Sequence, residues 1–534
     1  MQIAFGVLGG LGLFLYGMNL MGTGLQKAAG ERLKKLIEIL TSNRLMGVII
    51  GTLVTMVIQS SSATTVMVIG FVNAGLMTLN QAVGVIMGAN IGTTMTAQLI
   101  AFNLSDYAPV VVAIGVAIWL FSSRKRNKDI AEILIGFGIL FIGMDFMANH
   151  LKPLGEYQGF KSLLLSLEKP FLGVVVGFGL TTLIQSSSAS IGLLLALASQ
   201  GLITIDIAMP ILFGDNIGTT TTALLSSIGA NKTAKRAALI HFLFNVIGTI
   251  IFMAALRKPV EALVVGFTPN DIQRQIANSH TLFNLINVII QFPFARLLVL
   301  AAEKLVKGDE LEEVQGLKYL DTRIIETPSI AVNQASKEVL RMGRIARDNL
   351  RAATEAFYSK DEKLLQKVFE EEKKINEIES EITKYLVQLS NAPLTNLQHS
   401  TVTTLFHAVN DIERVGDHAE NIAELAQERI EKKLWFTDEA LEELRIMFDK
   451  IDEVFSKALL AFKTADPSVA REVITLEEEV DIMEKEYRES HIERLNAQLC
   501  NPNAGIIFLD LISNLERVSD HSSNIAMYIL DALK

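Results

Sequence analysis

Cysteine is almost missing. Cys500 is the single one in 534 residues, so no disulfide framework can hold the fold, and a reducing compartment suits the soluble part. Charge is scarce over the first 302 positions, which carry 19 basic and 12 acidic residues, a net +7. The remaining 232 carry 29 basic and 46 acidic residues, a net −17. An acidic soluble part offers no basic face to nucleic acid. There is no G-x-x-x-x-G-K-[ST] loop, which argues against direct drive by ATP. No Ser-His-Asp or Cys-His arrangement is legible either, which makes an enzyme the weakest class. A cleavable signal is not expected, because Met1 to Met21 lacks a basic n-region and runs on into apolar sequence.

What the chain has in abundance is apolar sequence. Half of it is AVILMFWYC and its mean hydropathy is +0.35, which excludes disorder and points to membrane. Apolar runs occupy roughly 3–22, 45–75, 82–102, 109–121, 130–147, 171–198, 207–228, 237–256 and 276–302, several near the ~20 residues that cross a bilayer. The runs at 45–75 and 171–198 are interrupted by polar tetrads.

The chain also repeats itself at a constant offset of 126. Residues 51–100 and 177–226 share 21 identities in 50 ungapped positions. Gln59-Ser60-Ser61-Ser62-Ala63 falls on Gln185-Ser186-Ser187-Ser188-Ala189, and Gly88-Ala89-Asn90-Ile91-Gly92-Thr93-Thr94 on Gly214-Asp215-Asn216-Ile217-Gly218-Thr219-Thr220. Basic residues mark cytoplasmic loops. The loop read at 23–44 carries five basic and two acidic groups, its match at 150–170 three and two, and Arg124, Lys125, Arg126, Lys128, Lys232, Lys235 and Arg236 add to the signal. Placing these and the acidic part inside puts Met1 outside and the two copies in opposite orientations, the inverted-repeat plan of secondary transporters.

A glutamine and three serines are costly in hydrocarbon unless satisfied. One such tetrad reads equally well as helix–helix glue. Two at matched positions, each followed by Asn-Ile-Gly-Thr-Thr, read better as broken helices. Free N–H groups at a helix start suit an anion, while unwound carbonyls with Ser, Thr, Asn and Gln oxygens suit a small hard cation such as sodium. With no Lys or Arg in these segments, an anion there would depend on hydroxyls, N–H groups and bound cations, which couples its binding to sodium. His241/Asn245 and His280/Asn284 each lie at i,i+4, favouring interhelical hydrogen bonds over a ligand role. Asp215 stands where the first copy has Ala89, an intramembrane acid suspected of function, although a helix-end loop would explain it equally well.

The doubled QSSS, the GANIGTT and GDNIGTT segments, and HFLFN and HTLFN resemble the type II sodium/phosphate cotransporter family over about residues 1–305. The resemblance implies that Gln59, Ser60, Ser61, Ser62, Gln185, Ser186, Ser187 and Ser188 line sodium and phosphate sites, with Asn90, Thr93, Thr94, Asn216, Thr219 and Thr220 as second candidates. Animal members carry a large extracellular insertion between the repeats. Here 122–130 is a short basic linker, as in compact bacterial members.

From about Leu311 the pattern becomes charged amphipathic helices punctuated by Pro328, Pro393, Pro467 and Pro502. It too is duplicated. Asn410 to His418 (NDIERVGDH) recurs 103 residues later as Ser513 to His521 (SNLERVSDH), and Glu372…Asn376 corresponds to Glu477…Asp481. Two three-helix units are the simplest account. Glu413/Asp417 and Glu516/Asp520 lie at i,i+4, so each pair shares a helix face. With His418 or His521 alongside they can bind a divalent or ferric metal ion, or form a salt-bridge lattice with Arg414 and Arg517. This part resembles PhoU, the helical regulator of phosphate uptake. Some PhoU proteins hold metal clusters through such motifs, and self-association as a homodimer is implied too. Asn376, in place of an acid, weakens the first cluster.

The expected protein is all-α: a polytopic membrane part with inverted repeats and broken or re-entrant helices, then a soluble PhoU-like pair of three-helix bundles. The boundaries read are 1–126 and 127–256 for the repeats, 257–305 for a final transmembrane helix, and 306–534 for the PhoU-like part, divided into about 330–432 and 433–534. The expected function is a sodium-coupled inorganic phosphate symporter, not an enzyme, multi-pass in the bacterial inner membrane, with its lipid bilayer as a partner, no nucleic acid, and a cytoplasmic C-terminal domain. A carrier of another oxyanion, such as sulfate or arsenate, and a membrane phosphate sensor without flux are the alternatives.

Overall fold

A computed structural model describes residues 2–38, 43–102, 104–308, 317–325 and 327–531. The chain divides into two compact units, Met1–Glu312 and Glu313–Lys534. Among the described residues the secondary structure is helical throughout. Leu311, where the sequence changes character, lies outside them.

The first unit runs α1 (Gln2–Glu38), α2 (Arg44–Ile58), α3 (Ser61–Asn73), α4 (Leu79–Gly92), α5 (Thr94–Ile100), α6 (Ala108–Phe121), α7 (Lys125–Leu151), α8 (Gln158–Ser166), α9 (Pro170–Ile184), α10 (Ser187–Ser199), α11 (Ile205–Gly218), α12 (Thr220–Ser226), α13 (Lys232–Ile251), α14 (Arg257–Phe267), α15 (Ile272–Gln291) and α16 (Ala295–Leu305). Five helical runs among the described residues are long and apolar enough to cross a membrane: Gln2–Ala29, Leu79–Ile100, Lys125–Glu156, Lys232–Phe267 and Ile272–Leu305. Arg44–Ile58, Ser61–Asn73 and Ser187–Ser199 are apolar but shorter, as expected for spans cut in two.

Two sequence readings shift here. The stretch read as a loop at 23–44 is helical to Glu38, because α1 carries on past its apolar part. The last membrane segment starts at Ile272 rather than 257, since α13 runs into α14 through a wide π turn at Phe252–Leu256. Pro259, the third residue of α14, has no N–H to donate, and the widened turn before it lets the helix continue past it.

Glycines set the closest helix contacts. α2 packs on α4, and α9 on α11. A methyl on Gly92 would lie 2.6 Å from the Thr52 carbonyl oxygen, and one on Gly218 would lie 2.9 Å from that of Phe178. Only hydrogen fits between these backbones. Phe213, Phe252 and Phe283, all fully buried, meet at centroid distances of 4.7–5.5 Å, one pair stacked and two edge-to-face, and join α11, the π turn and α15.

The second unit contains α17 (Pro328–Ser359), α18 (Glu362–Ser390), α19 (Asn396–Glu431), α20 (Asp438–Thr464), α21 (Pro467–Asn496) and α22 (Pro502–Asp531). α17–α19 form one three-helix bundle and α20–α22 the other, with α19 against α22. Capping is explicit in the sequence: Thr395 and Gln398 make a capping box on α19, and Asp361, Thr437 and Asp466 cap α18, α20 and α21. Arg347 and Arg351 of α17 both reach Asp452 of α20 at 2.7–2.9 Å. Burial pushes that carboxyl up, but the two guanidinium groups outweigh it and hold it down to about 2.

Candidate functional site

At each tetrad the chain breaks in the same way. Gln59 ends α2 in the left-handed region (φ 59°, ψ 23°), and Gln185 ends α9 there (φ 58°, ψ 24°). Such a conformation costs a non-glycine residue about 1 kcal/mol. Each glutamine offsets part of that with its own amide: Gln59 Nε2 donates to the Met56 carbonyl, and Gln185 Nε2 to that of Thr182 at 2.7 Å. The next residue is extended and starts a new helix. Ser60 Oγ accepts from the Ala63 N–H at 3.1 Å, and Ser186 Oγ from that of Ala189 at 3.2 Å.

Helix geometry leaves the amides of Ser61 and Ser62, and of Ser187 and Ser188, without an intrahelical acceptor. Ser61 and Ser188 are buried, Ser62 and Ser187 half-buried. The four hydroxyls make no hydrogen bond to any described residue. Each break therefore presents free donors at the positive end of a helix dipole, inside an apolar unit. The two breaks differ in exposure: Gln59 is buried while Gln185 is exposed.

The Asn-Ile-Gly-Thr-Thr segments lie where α4 passes into α5 and α11 into α12. Asn90 Nδ2 donates to the Ile86 carbonyl and Asn216 Nδ2 to that of Leu212, both at 2.8 Å, with both side chains buried. Thr94 and Thr220 turn their hydroxyls back on Ile91 and Ile217, and Thr219 does so on Asp215. Thr93 caps α4. Two threonines that the sequence reading did not select join the segments to the breaks. Thr96 Oγ1 donates to Gln59 Oε1 at 2.9 Å, and Thr222 Oγ1 to Gln185 Oε1 at 2.7 Å. Both are identical under the 126-residue offset, which was the available signal. The repeats then interlock: α3 packs on α12 and α10 on α5, so the helix following each break touches the segment that holds the glutamine of the other.

In the second unit, Glu477, Asp481 and Asp520 bring carboxylate oxygens within 4.8 Å of one another, a hard-oxygen donor set suited to a divalent or ferric ion. Burial and then Asp520 raise the Glu516 carboxyl, and burial and then Asp481 raise that of Asp520. In the first bundle Arg414 pairs with Asp417 at 2.8 Å and lies 3.6 Å from Glu413. Glu372, missed as a site residue, is buried with both oxygens unpartnered. Burial, and then Asp417, Glu420 and Glu413, push it up to about 8. His418 and His521 turn elsewhere. His418 Nδ1 meets Asn514 Oδ1, and His521 Nδ1 meets Asp411 Oδ1, each at 2.8 Å, so these rings join one bundle to the other instead of completing the acid pairs.

The PhoU domain family matches residues 339–426 and 444–529, and the Na+/Pi-cotransporter family matches 13–149 and 150–268. The uncharacterized protein YqeW of Bacillus subtilis (strain 168) is 31% identical over 285 residues, covering 53% of this chain and 92% of that protein. The chain belongs to the Na+/Pi-cotransporter family. It is thus a membrane protein of a phosphate-transporter family, not an enzyme, and it carries PhoU domains. The "Putative inorganic phosphate export protein YjbB" of Salmonella typhimurium (strain LT2) is 24% identical over 541 residues, covering 98% of this chain and 97% of its own. Sodium-dependent phosphate transport protein 2C of Homo sapiens is 43% identical over 96 residues, 17% of this chain and 16% of that protein.

Proposed function

We propose that this Na+/Pi-cotransporter family member moves inorganic phosphate in company with sodium, binding both at the two chain breaks. The observation that carries the reading is the pair of serine-rich helix starts, alike in backbone and side-chain bonding, at which the hydroxyls of Ser61, Ser62, Ser187 and Ser188 have no partner among the described residues and their amides no intrahelical acceptor. Phosphate oxygens accept from the free N–H and O–H groups of Ser61, Ser62, Ser187 and Ser188. Sodium takes the lone pairs of neighbouring hydroxyl, amide and carbonyl oxygens, in reach of Gln59, Ser60, Gln185, Ser186, Asn90, Thr93, Thr94, Asn216, Thr219 and Thr220. With no Lys or Arg in these segments, bound sodium supplies the positive charge that holds the anion. Opposite orientation of the repeats then lets hairpins move around a shared site in alternating access.

In this reading the protein sits in a bacterial inner membrane with the PhoU unit in the cytoplasm, self-associating as a homodimer, and the unit adjusts transport to phosphate supply. The cluster Glu477, Asp481 and Asp520, with Glu516 beside it, would hold a metal ion; Glu413 and Asp417, engaged by Arg414, are the weaker pair. The relative named for phosphate export spans nearly the whole chain, and it favours efflux as a second reading of direction.

Radiolabelled phosphate flux in proteoliposomes tests this, with sodium or potassium gradients imposed in either direction. Wild type is expected to move phosphate only with sodium, and Ser61→Ala with Ser187→Ala to lose at least 100-fold, about 2.7 kcal/mol. Equal flux with potassium, or full flux in the double variant, would overturn the reading.

A further inference from the structure

Duplication supplies an internal control for one buried acid. In the first repeat, the helices on either side of the break are joined directly. Thr55 Oγ1 of α2 donates to Thr64 Oγ1 of α3 at 3.0 Å, and Thr64 donates onward to the Ser60 carbonyl at 3.0 Å. At the matching positions of the second repeat, Thr181 of α9 and Ser190 of α10 do not bond to each other. Both donate to Oδ1 of Asp215, at 2.9 and 2.7 Å. Asp215 stands where the first repeat has Ala89.

Asp215 is entirely buried, and its Oδ2 finds no hydrogen-bond partner among the described residues. The junction closes without an acid in the first repeat, so the repeat does not need one to fold. An ionised carboxylate in an apolar membrane unit is costly unless a countercharge meets it. A positive ion at the open Oδ2 would supply that countercharge.

We propose that the second repeat holds a cation site absent from the first, built from the Asp215 carboxylate and the hydroxyl oxygens of Thr181 and Ser190, and that its occupant is a sodium ion. This rests on the sodium-coupled reading above. All the donors are hard oxygens, and each hydroxyl has lone pairs to turn toward an ion once it stops donating. The site also has leverage. Thr181 precedes the break, Ser190 follows it, and Asp215 adjoins Asn216. An ion there ties both halves of the broken helix to α11, and its departure leaves a bare charge that opposes movement through hydrocarbon. Occupancy and motion of this hairpin are thereby coupled, and the first repeat has no counterpart.

The test is the number of sodium ions bound per chain by purified full-length protein, measured with radioactive sodium. Wild type is compared with Asp215→Ala combined with Ser190→Thr, which rebuilds the packing already present in the first repeat, and with Asp215→Asn, which keeps the shape should the first variant fail to fold. The expected result is one sodium fewer in either variant, and a sodium-to-phosphate flux ratio lower by one wherever flux persists. An unchanged sodium count overturns the site. So does an unchanged count accompanied by loss of a pH dependence of flux, which would assign the carboxyl to a proton. Wild-type flux indifferent to sodium overturns the wider reading instead, and the two failures are thus separable.

Discussion

Gln59 and Gln185 mark how far single residues could be read. Their identity and repetition pointed to the breaks, but the left-handed turn did not, because glycine is the usual occupant of that region. What lets glutamine sit there is its amide folding back on the preceding turn. The partners of Asp215 were hidden for a different reason: Thr181 and Ser190 lie 34 and 25 residues away, and only packing reveals them. The hydrogen-bond partners of His418 and His521 were hidden because spacing fixes one helix face and says nothing of what the facing helix offers. Glu372 gives a prediction at this scale. Its carboxyl titrates near 8 when folded against about 4.5 when unfolded. Between those values the folded state keeps a proton that the unfolded state has lost, so stability falls as pH rises from about 4.5 to about 8 and then levels. Hydrogen exchange of α18 and α19 in the whole protein, with a chelator present and corrected for the chemical exchange rate, should show faster opening at pH 8 than at pH 6. Glu372→Gln should remove that difference.

Helices were legible wherever an apolar run had clear ends, as at α2, α3, α9 and α10. They were not where a helix outran its apolar part, as α1 does, or passed a proline by widening, as before Pro259. The second-unit punctuation by Pro328, Pro467 and Pro502 worked because first-turn prolines act locally. The glycine contacts between α2 and α4 and between α9 and α11 were not legible, since many glycines in membrane helices touch nothing: Gly12 and Gly179 have no atom within 4 Å of an added methyl. This contrast is testable. Gly92→Ala and Gly218→Ala should each lower stability by about 1–3 kcal/mol, because backbone stands in the way of the new methyl and cannot rotate aside. Gly12→Ala and Gly179→Ala should change it by less than about 0.5 kcal/mol. Thermal unfolding in detergent separates the two pairs. Equal effects at all four positions would refute the view that these glycines are there for close packing.

At the scale of the molecule, the division was written in the charge: a sparsely charged first part, net +7, and an acidic second part, net −17, can share neither a solvent nor a core. The structure gives each part its own core. The Bacillus relative is matched over 285 residues, a stretch longer than the whole second unit, yet this accounts for nearly all of that relative's length. That stretch is about half of this chain. We expect the chain ended at residue 312 to insert, fold and carry phosphate with the same cation requirement as the whole protein, because every residue proposed to bind substrate or sodium lies before Ile228. What truncation should change is regulation. If the PhoU unit restrains the carrier, phosphate flux in cells held at high and low phosphate should differ for the whole chain and converge for the truncated one, with surface expression matched. Flux that still follows phosphate supply after truncation would place the regulation inside the membrane unit. A truncated chain that inserts but carries nothing would make the second unit part of the transport machinery.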